Sequence, residues 1–473
     1  MPLASNMLSA PGIGLLFALG LCGCRPPAGD TSGPPAWEPA RTVVLLTVDS
    51  LQAHFLWGYD QGWDTAPFLR SLFEEGVLLP NVQAARNLTG PALTSLFTGT
   101  YPRDHKVRGG DTWDPSFPLL SERFQEGGYR TLGFTTNLCE LLERGFDQVE
   151  CARSILPEEV DFEPRRDAMA TTDLGRAIQD LDPDLPIFAW LHLNQVHFPY
   201  LVDPTWYDRF HPEPYEGSFD VEDTQDLTDV MLGSLEVSEE DLRHFHAVYA
   251  SEVRAMDERV RGFVETLEAA GRWDDAVFVF GADHGEELCE HFHYIGHGCS
   301  VYQPVSQLLY LVRAPGRLPA GIALDGWVSQ TDIAPTLVDL ASAFEWSGFQ
   351  AGRSLVDEML AGTIDDRPAF FERGVHTAGI TWQGHRLVLS GEEGFDDCCP
   401  YSQFDAVFPS ELCEIYDLGA DCLERTNLAE DPAHAALREE LTDRVCDWVE
   451  ERPWVETEQM MEDNRIVGTC AER

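Results

Sequence analysis

The sequence predicts an α/β fold: a mostly parallel sheet covered by helices on both faces, followed by a smaller C-terminal α+β subdomain. Three observations carry that expectation. Thr42 to Val48 (TVVLLTV) is a continuous β-branched and apolar run, the pattern of a strand buried on both faces. Amphipathic helical stretches separate such runs, so the passages between strands are crossovers of the kind parallel sheets require. Beyond about Asp365 the pattern changes to short strand-like pieces and cysteines, closed by one helix. With 473 residues, 44% of them hydrophobic, the chain can bury a large core in one big or two unequal domains.

After the first strand, helical patterns fall near Ala66 to Glu75, Pro91 to Thr98 and Leu119 to Gln125. Ile187 to Leu193 reads as another buried strand, and a long amphipathic helix is expected over Ser238 to Ala270. Strands over Ala276 to Phe280 and Leu308 to Val312, a helix over Ile333 to Ser342 and a final helix near Ala433 to Glu450 complete the series. The stretch NLTGPALTSLFTGTYP is singular. Gly90 before Pro91 reads as an N-cap followed by proline at the first helical position, and Gly99 as the stop. That places Thr89 just outside the positive end of a helix, where an anion is welcome. Taken alone, the stretch leaves Thr89 as a cap, as the threonine of the Asn87-Leu88-Thr89 sequon, or as a catalytic nucleophile.

The net charge is −49, from 81 acidic against 32 basic residues, and Lys106 is the single lysine. Such a surface repels nucleic acids and anionic membranes, so nucleic-acid binding is excluded as a function class. At the N-terminus, Pro11 to Gly23 is apolar but short for a bilayer span, and it ends in Leu21-Cys22-Gly23-Cys24. This resembles a bacterial lipobox with Cys24 as the lipidated first mature residue, although Met1 to Gly12 lacks the usual Lys or Arg; a plain secretory signal is the other reading. Expected boundaries are a signal peptide over 1–23, a Pro/Gly-rich tether over 24–40, a catalytic domain over 41–365 and the C-terminal subdomain over 366–473. The protein is then exported to the bacterial cell envelope, periplasmic or at the cell surface, with the lipid on Cys24 as its membrane contact. Twelve cysteines fit an oxidising compartment, and ten remain for disulfides once Cys22 and Cys24 are set aside.

Ligands of open α/β sheets collect beyond the carboxyl ends of strands. Three polar clusters lie immediately there: Asp49-Ser50, His197-Phe198-Pro199-Tyr200 and Asp283-His284-Gly285. Together with TGPALTSLFTGTYP from Thr89, ADHGEELCEH followed by GHG from Ala282, TDIAPTL from Thr331 and IYDL near Tyr416, they resemble the sulfatase branch of the alkaline-phosphatase superfamily. The resemblance runs from about Thr42 to Glu430. It implies an alkaline-phosphatase-like fold and a metal site made of Asp49, Thr89, Asp283 and His284. Thr89 would be the nucleophile, His297 would hold the ester's oxyanion, and His197 would contact the substrate or protonate the leaving group. Each histidine is also readable as a satisfied structural side chain; His244, His246, His291 and His293 are left closer to that reading.

The departures from the family pattern decide the chemistry. Formylglycine sulfatases carry Cys or Ser two residues before the proline and Arg two after it, where this chain has Thr89 and Leu93. Threonine cannot become formylglycine, so the resemblance points to phosphodiester or phosphonate chemistry ahead of sulfate ester hydrolysis, on a small-molecule or glycan- or lipid-linked anionic ester. Ser50 stands where a second aspartate is usual, which favours one zinc or manganese ion over calcium. A phosphoethanolamine-type transferase and a non-catalytic binding protein of the same fold are the alternatives. Cys289 and Cys299 bracket the loop that presents His297, and a disulfide between them is expected to brace it.

Overall fold

Seven consecutive buried residues, Thr42–Val48, form β1 at the middle of a nine-stranded sheet. The computed structural model describes residues 37–56, 62–107, 116–135, 143–151, 163–344, 351–374, 377–390 and 413–453. The expected signal peptide, Cys24 and most of the tether lie outside them. Along the chain follow β2 (Val77–Gln83), β3 (Arg130–Thr135), β4 (Gln148–Cys151), β5 (Ile187–Leu193) and β6 (Val277–Ala282). A short hairpin, β7 (Glu287–Leu288) and β8 (Ile295–Gly296), precedes β9 (Gln307–Arg313), β10 (Ile322–Ala323) and β11 (Val328–Ser329).

The sheet order is β10-β2-β9-β6-β1-β5-β3-β4, with β11 also on β2. β1 runs parallel to both β5 and β6, whereas β9 is antiparallel to β6 and β2. The sheet is therefore mostly parallel with one reversed strand. Register fixes the site: Val48 lies opposite Leu193 on one side and Ala282 on the other. All three central strands end level, and whatever follows them in sequence meets at one carboxyl edge.

The Glu239–Ala269 helix covers one stretch of the sheet. Ser238 caps it, accepting from Asp241 N while Asp241 Oδ2 takes the Ser238 N–H at 2.8 Å. Its inward residues, among them Phe245, Val248, Tyr249 and Phe263, are fully buried. The helix after β2 begins two residues earlier than expected. It spans Thr89–Thr98, with Leu88 as its extended N-cap (φ −143°) and Gly99 as the left-handed stop (φ 63°). Gly90 is therefore not the cap. Pro91 is tolerated because N–H groups of a first helical turn have no intrahelical partner to lose.

β12 (Ala369–Arg373), β13 (Thr377–Trp382), β14 (His385–Ser390) and β15 (Cys413–Asp417) form a second, antiparallel sheet. Ile380, Leu387, Leu389 and Ile415 share a core there with Leu441, Val445 and Trp448 of the Ala435–Glu451 helix. A buried ion pair, Arg103 Nε to Glu372 at 2.7 Å, joins this subdomain to the segment after the Thr89 helix. Among the described residues no helix is long and apolar enough to cross a membrane.

Candidate active site

Asp49 and Asp283 are the residues immediately after β1 and β6, and the level strand ends set them side by side. Ser50 adopts a left-handed backbone (φ 59°) and turns its N–H onto Asp283 Oδ1 at 3.2 Å; His284 N donates to the same oxygen at 2.7 Å. Asp283 Oδ2, fully buried, accepts no hydrogen bond. His284 donates Nδ1–H to the Gly285 carbonyl (2.9 Å), which leaves the Nε2 lone pair facing the two carboxylates. One ligand atom from each of Asp49, Asp283 and His284 lies within 4.8 Å of the others. Thr89 Oγ1, on the first turn of its helix, is 3.2 Å from His284 Nε2 and 3.4 and 3.5 Å from the two Asp49 oxygens.

The electrostatics of this group are lopsided. Burial alone would raise Asp49, but His197, His192 and His284 around it hold it well below the usual carboxylate range. Burial, followed by the Asp49 charge, pushes Asp283 well above it. Burial and the neighbouring His297 depress His284 to about 3, so its ring is neutral. Two carboxylates that cannot both ionise, one neutral imidazole and an orphaned buried oxygen fit a divalent cation. Asp49, Asp283 and His284 of the expected set lie together, with Thr89 Oγ1 beside them.

Around it stands a second ring of groups. His297 Nδ1 meets Glu286 Oε1 at 2.9 Å and Ser50 Oγ at 3.3 Å. Burial would lower its pKa, but the charge and hydrogen bond of Glu286 raise it. The His297 ring centre is 4.3 Å from that of His284 and 5.1 Å from that of His197. His197 engages the Phe198 carbonyl through Nδ1, which leaves Nε2 for other partners. The structure thus brings all six expected residues into one group.

Sequence reasoning missed His192 and Glu286. His192 sits inside β5, with Nε2 3.8 Å from Asp49 Oδ2 and Nδ1 2.9 Å from Thr47 Oγ1. Its signal was a lone imidazole in an otherwise apolar run, IFAWLHL. Glu286 was hidden as one of two adjacent acids. Asn87 also acquires a role: its side-chain amide is buried and donates to the carbonyls of Gly298 (2.7 Å) and Ser300 (2.6 Å). That leaves no accessible nitrogen for a glycan on the sequon, and ties the His297 loop to the turn that precedes Thr89.

The expected Cys289–Cys299 bond is not formed: Cys289 is a free thiol, and Cys299 is disulfide-bonded elsewhere. Cys289 Sγ points to the His293 carbonyl at 3.9 Å, and the loop closes through backbone instead. The β7–β8 ladder, Cys289 N to Tyr294 O (2.9 Å) and Tyr294 N to His291 O (2.8 Å) hold it. The remaining histidines have structural partners or face solvent. His244 pairs with Tyr207 Oη, His246 with the Leu288 carbonyl, and His291 with Glu287 and the Leu423 carbonyl, while His293 is exposed. Leu93 is fully buried in the main core, so no cation occupies its place.

Residues 41–343 match the family described as Sulfatase. Among characterised proteins, the chain is 23% identical over 504 residues to the multifunctional alkaline phosphatase superfamily protein PehA of Trinickia caryophylli, covering 86% of this chain and 95% of that protein. It is 28% identical over 350 residues to the choline-sulfatase of Rhizobium meliloti, covering 71% of this chain and 61% of that protein. The phosphonate monoester hydrolase of Agrobacterium radiobacter superposes with a TM-score of 0.66 at 20% identity, covering 88% of this chain and 96% of that one.

Proposed function

The chain belongs to the sulfatase family of ester hydrolases, and we propose that it cleaves anionic phosphate, phosphonate or sulfate esters with Thr89 as nucleophile, phosphorus chemistry being favoured. The observation that carries this reading is the position of Thr89 Oγ1, within 3.5 Å of both Asp49 oxygens and 3.2 Å from His284 Nε2. With threonine in place of a formylglycine precursor and Leu93 in place of arginine, an aldehyde hydrate has neither its source nor its brace.

Asp49, Asp283, His284 and Thr89 Oγ1 would hold one divalent ion, zinc or manganese ahead of calcium because an imidazole stands with only two carboxylates. Bound there, the ion neutralises ester charge and lowers the pKa of the threonine hydroxyl. Thr89 Oγ1 attacks the phosphorus or sulfur in line, and its proton passes to Asp49, which its histidines keep ionised. The bond to the alcohol oxygen breaks on the opposite side, and His197 Nε2 delivers a proton to that oxygen. His297, kept cationic by Glu286, presents its Nε2–H to a non-bridging oxygen. Water then hydrolyses the threonine ester, His197 taking a proton from the water and Asp49 returning its proton to Thr89 Oγ1 as that bond breaks. Export to the bacterial envelope, with a lipid on Cys24, is part of the same proposal.

The test is a panel of chromogenic phosphate mono- and diesters, phosphonates and sulfates assayed with zinc, manganese and calcium. Thr89→Ala should lose at least about three orders of magnitude in kcat, about 4 kcal/mol of barrier. A folded variant that loses tenfold or less would leave Thr89 as an ordinary residue of its helix's first turn. Ser50 and Leu93 favour a non-catalytic binding protein as the second reading; purified protein devoid of metal and inert towards the whole panel would select it.

A further inference from the structure

Beside the candidate site lies a cavity of about 190 Å³ whose wall includes His197 and His297. Leu88, adjacent to Thr89, shares that wall, so the cavity lies next to the place where a bond cleaved by Thr89 would be. Its far side is one face of the Thr224–Met231 helix: Thr224, Leu227, Thr228 and Met231 follow at the spacing of a single helical stripe. Leu227 and Met231 are buried there, and Asp223 caps the helix by accepting from Gln225 N at 2.8 Å. Phe198 and Ile295 close the remaining apolar sides.

The charges are as informative as the surface. No arginine or lysine among the described residues lines the cavity. Its one acid, Glu286, is buried and engaged by His297. An anionic substituent entering here would leave water with no cation of its own, since His297 in the wall is already held by Glu286, inside a chain of net charge −49. A cationic one would have as counter-ion only Glu286, whose charge His297 already offsets through Oε1. The volume is also selective, because an apolar cavity of about 150 Å³ suffices for one benzene ring.

We propose that this cavity is the leaving-group subsite and that it selects esters of a small, uncharged, apolar alcohol, an aryl group or a short alkyl chain. The proposal rests on the Thr89 hydrolase reading for the position of the cleaved bond. Selectivity resides in Leu227 and Met231, with Thr228 at the rim.

The test uses the full chain and esters that share one head group, compared within two series of like leaving-group acidity: methyl and butyl among alkyl esters, and phenyl, carboxyphenyl and trimethylammoniomethylphenyl among aryl esters. Expected results are a gain in kcat/KM of roughly fourfold per added methylene up to the size of the cavity, and a phenyl ester preferred at least about tenfold over either charged analogue. Leu227→Ala should reduce the butyl-over-methyl preference at least about fivefold, and Thr228→Arg should shift preference towards the carboxyphenyl ester. Binding of phenol by calorimetry, weakened in Leu227→Ala, reads the same surface without turnover. Equal or better use of a charged ester, or an unchanged preference in Leu227→Ala, would overturn the proposal while leaving the hydrolase reading intact. Phenol binding that responds to Leu227→Ala in a chain that cleaves no ester would overturn the leaving-group assignment together with the hydrolase reading.

Discussion

Raising the pH from about 6 to about 9.5 should remove a defined part of the stability that His291 contributes. His291 Nδ1 meets Glu287 Oε1 at 2.9 Å and Nε2 meets the Leu423 carbonyl at 2.6 Å. Both partners are acceptors, so both nitrogens must donate, and only the imidazolium can do so. Burial would lower the pKa, but the charge and hydrogen bond of Glu287, helped by Glu424, lift it from the ordinary 6.5 to about 9. Because the folded value is the higher one, the stabilisation is fully present below about pH 6.5 and is lost as pH rises through about 9. The difference corresponds to about 3 kcal/mol at most, a large share of the 5–15 kcal/mol that typically holds a domain folded. Urea unfolding of wild type and His291→Gln at the two pH values isolates the effect, since every other titration cancels in the difference. The stability gap between the two proteins should shrink by about 2–3 kcal/mol on going to alkaline pH. Parallel pH profiles would refute the reasoning and mean that His291 is neutral in the fold.

Other expectations concern the site. Glu286→Gln removes the carboxylate that keeps His297 cationic, so kcat should fall about a hundredfold and its alkaline limb should move to lower pH; an unmoved limb would dissociate the pair. His192→Asn should weaken binding of the divalent ion proposed for the Asp49–Asp283–His284 site by about 10–100-fold, as loss of a group supporting a ligand does, measured by competition with a chelator. With a net charge of −49, kcat/KM for an anionic ester should rise from low to moderate salt, where the Debye length is about 10 Å at 0.1 M, and much less for a neutral substrate. Equal salt responses would mean that the acidic field does not reach the cleft.

The strands and helices that position the site were legible because their signals are local. TVVLLTV and IFAWLHL have no polar alternation, and a strand buried on both faces needs none. The long helix carried its own start signal, Ser238 with Asp241 three residues on. Asp49, Thr89, His197, Asp283, His284 and His297 were legible because their order and neighbours resemble one family, although each residue alone was ambiguous. β2, β3 and the Glu163–Gln179 helix were not read, and the reversed direction of β9 could not be, since strand direction belongs to the pairing and not to the strand.

By itself, then, the sequence determined which segments are buried, where chemistry-bearing residues follow strands, and that a threonine stands where a formylglycine precursor would. Tertiary structure decided the rest. His192 became a neighbour of Asp49 only through β1–β5 register, Glu286 became the partner of His297 only through the closing of the loop, and Cys299 passed over a cysteine ten positions away. The physical reason is common to all three. Hydrogen bonds, charges and thiols act over a few ångströms of space, and separation along the chain does not report that distance until the sheet has set its register.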